Sequence, residues 1–198
     1  MQKKFNIAFL TSGKSRGSNF ENVVKYIFEN HLPIIPKFLV VTKIDAPIIQ
    51  KAKRNNVKYI LLPNKKNFEN ELLNLLSKYE INLIVLAGFM RKLSSEFLQS
   101  FNGKIINIHP ALLPKHGGKG MYGMRVHKIV FENREKFSGA TVHFVNEKYD
   151  DGKILFQKKI SIGHLKSPEE IAHSVLKIEH EIYPKVIEKL AYQFLGKN

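Results

Sequence analysis

Ile105-Ile106-Asn107-Ile108-His109-Pro110-Ala111-Leu112-Leu113-Pro114 is an apolar run that carries two polar side chains two positions apart and stops at a proline. Side chains along a strand alternate between faces, so Asn107 and His109 share one face while Ile106 and Ile108 take the other. Pro110 has no N–H for a ladder and ends the run. An amide and an imidazole are thereby left side by side at the carboxyl end of a strand, which is where open parallel α/β sheets bind their ligands.

Working outward, apolar runs with β-branched residues at 5–11, 36–42, 58–62, 82–87 and 104–108 alternate with periodic segments at about 18–31, 46–55, 67–79 and 93–101. This is the βαβα rhythm of a parallel sheet. The runs at 5–11 and 82–87 are nearly all apolar, as strands covered by helices on both faces must be. Beyond 108 the rhythm changes. Gly117-Gly118-Lys119-Gly120 leads into a predicted helix near 121–133, and two strands are predicted at 140–147 and 153–161. The turn-rich Asn146-Glu147-Lys148-Tyr149-Asp150-Asp151-Gly152 between them would join them as a hairpin. Ser167-Pro168-Glu169-Glu170 opens a terminal helix, with Ser167 as N-cap, Pro168 at the first position and Glu170 at the capping-box position. Ile171, Val175, Ile178 and Ile182 then recur at helical spacing. The fold class is α/β: a mostly parallel central sheet in three layers, Rossmann-like, with a late antiparallel hairpin and a long C-terminal helix.

The 198 residues suit one domain, and 43% hydrophobic and 25% charged residues describe a chain that buries a core. With no cysteine, disulfides, cysteine-ligated zinc and a thiol nucleophile are excluded, which suits a reducing cytoplasm. No leader-like segment or 18-residue apolar stretch is present, so neither secretion nor membrane insertion is expected. The 32 basic against 17 acidic residues give +15, a charge that attracts anionic partners. The lysines are scattered without a dense basic tract or interleaved aromatics, so no nucleic-acid partner is expected.

Three constellations carry chemistry. Thr11-Ser12-Gly13-Lys14-Ser15-Arg16-Gly17-Ser18-Asn19-Phe20 joins the first strand to the first helix; it reads either as a phosphate site at a helix start or as a plain capped turn. It is not an ATP-type loop, because the glycine–lysine spacing differs. Asn107 with His109 reads as an oxyanion donor beside a transferable proton, or as two buried polar groups satisfied by their neighbours. Asp150 is a turn residue by its context, yet a hairpin loop folded over the 107–109 end would bring its carboxylate to His109. The remaining histidines, His31, His116, His127, His143, His164, His173 and His180, have no metal-ligand spacing, and most of them read as surface or packing residues. No metal is expected.

Asn107-Ile108-His109-Pro110 with Leu112-Leu113-Pro114, Leu86-Ala87-Gly88-Phe89-Met90-Arg91, and Val142-His143-Phe144-Val145 running into Asp150-Asp151-Gly152 together resemble the folate-dependent phosphoribosylglycinamide formyltransferases, over nearly the whole chain. Glu179-His180-Glu181-Ile182-Tyr183-Pro184 resembles the late helix of that family. The resemblance implies one formyltransferase domain over 1–198, with a phosphate- and nucleotide-binding half at 1–104 and a catalytic and folate-binding half at 105–198. It implies Asn107, His109 and Asp150 as the catalytic trio, with Asn107 and a protonated His109 donating to the oxyanion of a tetrahedral intermediate and Asp150 supporting that protonation and assisting proton transfer. Gly17, Ser18 and Asn19 match the substrate-phosphate loop, and Glu179 matches the carboxylate on the ribose hydroxyls. Met90, Arg91, Lys92 and Leu93, with Asn107, match the 10-formyltetrahydrofolate site. The implied reaction moves a formyl group from 10-formyltetrahydrofolate to the amine of glycinamide ribonucleotide in purine synthesis, in a cytoplasmic monomer or homodimer.

The sequence departs from the usual family pattern in two places. The loop from Ser12 to Asn19 is two residues longer, and 115–125 is longer and richer in glycine. Methionyl-tRNA formyltransferases share the trio but carry a further carboxyl-terminal domain, and formyltetrahydrofolate deformylases carry an extra amino-terminal one. Neither addition is expected here. Sugar-nucleotide N-formyltransferases stay open as an alternative, as does, from another class, a noncatalytic basic module that binds nucleic acid through charge.

Overall fold

Five parallel strands fill one end of the sheet. The computed structural model describes residues 4–12, 16–63 and 65–196. The elements run β1 (Phe5–Thr11), α1 (Ser18–Glu29), β2 (Ile34–Val41), α2 (Ile48–Arg54), β3 (Tyr59–Leu61), α3 (Phe68–Lys78), β4 (Leu83–Leu86), α4 (Ser95–Ser100), β5 (Lys104–His109), α5 (Met124–Glu132), β6 (Phe137–Phe144), β7 (Ile154–Ser161) and α6 (Pro168–Leu195). The strands pair in the order β3-β2-β1-β4-β5-β6-β7; β1 to β5 are parallel, and β6 and β7 form an antiparallel pair. The α/β class, the late hairpin and the long terminal helix all stand as expected.

The chain divides into two compact units, one running to Ile106 and joined by the carboxyl-terminal segment from Ile187, the other Asn107–Val186. In the first, every residue of β1 is buried, and α1 packs Phe20, Val23, Val24 and Ile27 inward at helical spacing. Each such side chain contributes about 1.5–3 kcal/mol by leaving water. Phe9 and Phe20 meet edge to face at 4.9 Å, tying β1 to α1. In the second, β6 is buried along nearly its whole length and α6 lays Ile171, Val175, Ile178 and Ile182 inward.

Several boundaries moved, each for a local reason. β2 begins at Ile34, and Pro36 inside it coincides with a register shift that leaves Lys37 unpaired against β1. The helix expected over 121–133 begins only at Met124, because Gly118, Gly120 and Gly123 hold positive φ angles of 96°, 86° and 55° that no α-helix contains. β6 starts at Phe137 rather than at 140. The Ser167 hydroxyl accepts from the Glu170 N–H as an N-cap should, but the Glu170 carboxylate reaches back to the Lys166 N–H, one residue short of a capping box.

α1, α2, α3 and α5 end in the same way. At each a residue with positive φ, His31, Asn56, Glu80 or Arg134, follows the C-cap. The next N–H then returns to a carbonyl five residues back: Leu32 to Ile27, Val57 to Ala52, Ile81 to Leu76 and Glu135 to Val130. This is a Schellman closure, which satisfies the last carbonyls of a helix and places an apolar residue over its final turn. Leu32, Val57 and Ile81 follow that rule; Glu135 breaks it.

Candidate active site

β5 ends with Asn107 and His109 on one face, as strand alternation requires, and the second unit builds a polar cluster around them. Asp150 lies in the β6–β7 loop at φ 54°, a left-handed conformation that aspartate tolerates better than most residues. Its carboxylate reaches both neighbours: Oδ2 is 3.4 Å from His109 Nδ1, and Oδ1 is 3.6 Å from His143 Nε2. The Gly118 N–H donates to Asp150 Oδ2 at 3.0 Å. That contact needs the glycines of 117 and 118. A Cβ on Gly117 would sit 2.5 Å from a Leu113 methyl and 3.2 Å from Asp150 Cβ, and Gly118 adopts φ 96°.

His109 is 3% exposed, and its other nitrogen, Nε2, donates to the His116 carbonyl at 2.8 Å. Asn107 Nδ2 donates to His143 Nε2 at 3.3 Å, while His143 Nδ1 donates to the Phe144 carbonyl at 2.8 Å. These partners assign the ring protons: neutral His143 carries its hydrogen on Nδ1, and neutral His109 carries its hydrogen on Nε2. The loop between β5 and α5 is anchored from β6. The Thr141 hydroxyl donates to the Ala111 carbonyl at 2.7 Å and accepts from the Leu113 N–H at 3.2 Å and from Gln157 Nε2 at 2.8 Å.

Electrostatics set the protonation states. Burial pushes the His109 imidazolium below the usual histidine range; Asp150 and the His116 carbonyl oppose this without overcoming it, and His143 adds to the lowering. Burial alone would raise Asp150, but its contacts with the His143 and His109 rings, which favour the carboxylate whenever either ring is protonated, and the Gly118 N–H hold its carboxyl below the usual value. The resting state near neutrality is therefore a carboxylate beside a neutral imidazole whose Nδ1 lone pair is turned toward it.

The trio Asn107, His109 and Asp150 is thus gathered in one place. His143 and His116, which the sequence did not single out from the other histidines, belong to the same cluster. His143 sits on β6 at a register that only strand pairing reveals; His116 takes part through its backbone carbonyl, which residue identity does not encode. Glu179 lies in α6, in the same unit, and is 8% exposed.

The other expected residues lie in the first unit. Gly17 caps α1 at φ 70°, and Ser18 and Asn19 form its first turn; 13–15, with Lys14 and the lengthened part of the loop, lie outside the described residues. Met90 follows β4, 42% exposed, with its N–H donated to the Ser12 hydroxyl at 2.6 Å. Arg91 lies 4.7 Å over the Phe68 ring and 3.7 Å from Glu69, Lys92 is exposed, and Leu93 is buried. The loops after β1 and β4 both leave the carboxyl ends of parallel strands. A hollow of about 640 Å³ in the same unit, lined by Phe5, Asn82, Lys104 and Phe194, lies at the opposite, amino ends. It holds no cluster of titratable groups comparable to that of His109.

Among the described residues no group of three or more histidine, aspartate or glutamate side chains is placed to hold a metal ion, and no helix is long and apolar enough to cross a membrane.

The formyl transferase family model matches residues 5–187. The chain is 38% identical over 193 residues to a phosphoribosylglycinamide formyltransferase of Bacillus subtilis, covering 95% of this chain and 94% of that one. It is 37% identical over 191 residues to a chloroplastic phosphoribosylglycinamide formyltransferase of Arabidopsis thaliana, covering 93% of this chain but 65% of that protein, just under two thirds of its length. Among solved structures, glycinamide ribonucleotide transformylase 1 of Geobacillus kaustophilus superposes with a TM-score of 0.85 at 31% identity, over 96% of this chain and all of that one.

Proposed function

The chain belongs to the formyl transferase family, and from that membership we propose that it transfers the formyl group of 10-formyltetrahydrofolate to the amine of glycinamide ribonucleotide. One observation carries the reading. Asn107 and His109 on β5 and Asp150 on a distant hairpin loop converge, with the carboxylate 3.4 Å from the imidazole.

Attack of the amine on the formyl carbon leaves negative charge on oxygen and positive charge on nitrogen. Asn107 has two amide hydrogens and commits one to His143, so the other serves the oxyanion. Neutral His109 offers its Nδ1 lone pair to the proton of the attacking amine. The imidazolium so formed has both N–H groups facing acceptors, Nδ1–H toward Asp150 and Nε2–H on the His116 carbonyl; Asp150 supports that protonation, and the positive ring stabilises the oxyanion by its charge. Collapse expels the folate nitrogen, which takes the same proton from His109, directly or through water. The proton lost by the amine is the proton gained by the folate, and no metal or covalent enzyme intermediate enters the balance.

Gly17, Ser18 and Asn19 are assigned to the substrate phosphate, Glu179 to its ribose, and Met90, Arg91, Lys92 and Leu93 with Asn107 to the folate. The buried carboxylate of Glu179 and the outward N-terminus of α1 suit those ligands chemically. Incubating the protein with 10-formyltetrahydrofolate and glycinamide ribonucleotide, and following deformylated folate spectroscopically, tests the reading; methionyl-tRNA is the control acceptor. Asn107→Ala and His109→Ala should each lower kcat by about 10²–10³. Wild-type turnover in both, or turnover only with the control acceptor, refutes it.

A further inference from the structure

Glu135 is the odd member of the four Schellman closures. Where α1, α2 and α3 place Leu32, Val57 and Ile81 after the left-handed residue, α5 places a carboxylate that helix termination does not call for. That carboxylate is not idle. Glu135 Oε1 accepts from His116 Nε2 at 3.1 Å and from Lys115 Nζ at 2.5 Å, and the Lys115 bond is the chief cause that keeps its carboxyl below the usual range. Its backbone is fixed by the closure itself, through the bond to Val130.

His116 has φ 60°, a left-handed conformation that is uncommon for residues other than glycine. Its imidazole is held by Glu135. Its carbonyl, oriented by that same backbone conformation, accepts from His109 Nε2 at 2.8 Å. Two bonds therefore join the end of α5 to the imidazole at the end of β5, and the second of them decides which His109 nitrogen carries the proton.

We propose that Glu135 is a positioning residue: by holding His116 left-handed it keeps the His116 carbonyl on His109 Nε2, so that the His109 lone pair stays on Nδ1, the nitrogen beside Asp150. Without Glu135, His116 relaxes to an ordinary backbone conformation and its carbonyl turns away. His109 then gains by placing its hydrogen on Nδ1, where Asp150 accepts it, and the lone pair moves to the wrong side of the ring.

The consequence for turnover rests on the function proposed above; the consequence for the ring does not. The test is therefore made first on substrate-free protein carrying ¹⁵N-labelled histidine, reading the His109 ring shifts. Glu135→Leu installs the apolar residue type that the other three closures carry, so the helix end is kept. His116→Ala cuts the same link from the other side. The wild-type ring should report Nε2–H, both variants a mixture with Nδ1–H, and Glu135→Gln, which still accepts from His116, the wild-type tautomer. In the transfer assay Glu135→Leu should lose about tenfold in kcat, the low end for a residue acting through a ligand-contacting partner, with both KM values within twofold. A wild-type tautomer in whichever of Glu135→Leu and His116→Ala folds overturns the proposal, and so does a changed tautomer with kcat within twofold of wild type.

Discussion

Replacing His127 with leucine should flatten the acid side of the stability curve. His127 lies on α5, 6% exposed, with Nδ1 lacking a hydrogen-bond partner among the described residues. Burial, with a smaller contribution from nearby His109, pushes its pKa down from 6.5 to about 4. The unfolded chain takes up this proton as pH falls through 6.5, whereas the folded chain resists until about 4. Between those values the unfolded state binds more protons, so stability falls as pH drops through that window. A gap of about 2.5 units at 1.36 kcal/mol per unit gives about 3 kcal/mol in the limit below pH 4. About 2 kcal/mol of this is already lost between pH 7 and pH 4.5, a range in which carboxylates with lowered pKa values still hold their charge. The measurement is urea unfolding of wild type and His127→Leu at both pH values, with m compared to check that the transition is unchanged. The wild type should lose about 2 kcal/mol more than the variant across that interval, and the variant should be at least as stable at pH 7, since an unsatisfied buried nitrogen has been replaced by an apolar side chain. Equal losses in the two proteins would refute the assignment of His127 as a buried neutral ring.

Asp150→Asn should leave a folded protein with kcat lowered by about 10² or more, as expected when the partner of a proton-transfer group is removed. Because the Asp150 charge raises the His109 pKa, its loss should also move the acid limb of the kcat/KM profile to lower pH, and a shift to higher pH would contradict the geometry. Gly17→Ala should destabilise by about 1–3 kcal/mol in chemical denaturation, since its Cβ would lie 2.4 Å from Cγ1 of the fully buried Ile48 at a backbone φ of 70°. The same variant should raise KM for the ribonucleotide more than KM for the folate, and equal effects would remove Gly17 from the phosphate loop.

Much of the fold and part of the site were legible in the sequence because they rest on interactions between near neighbours. The alternation that puts Asn107 and His109 on one face of β5 is a property of an extended chain, and buried parallel strands announce themselves as unbroken apolar runs. Helix ends were less legible. His31, Glu80 and Arg134 take the left-handed position usually given to glycine or asparagine, so nothing in their identity marked the stop, whereas Asn56 did; the bond that compensates each is made by the next N–H to a carbonyl five residues back.

What the sequence determined by itself was the α/β order of elements and the pairing of an amide with an imidazole on one face at the end of β5, the core of the candidate site. The tertiary structure decided the rest: that His143 on β6 stands against Asn107 and Asp150, that the His116 backbone rather than its ring meets His109, and that Glu135 ends a helix with a charge. Those facts depend on strand register and on backbone carbonyls. Neither is written in a residue's identity, because each is settled only when segments far apart in the chain pack together and every buried donor must find its acceptor.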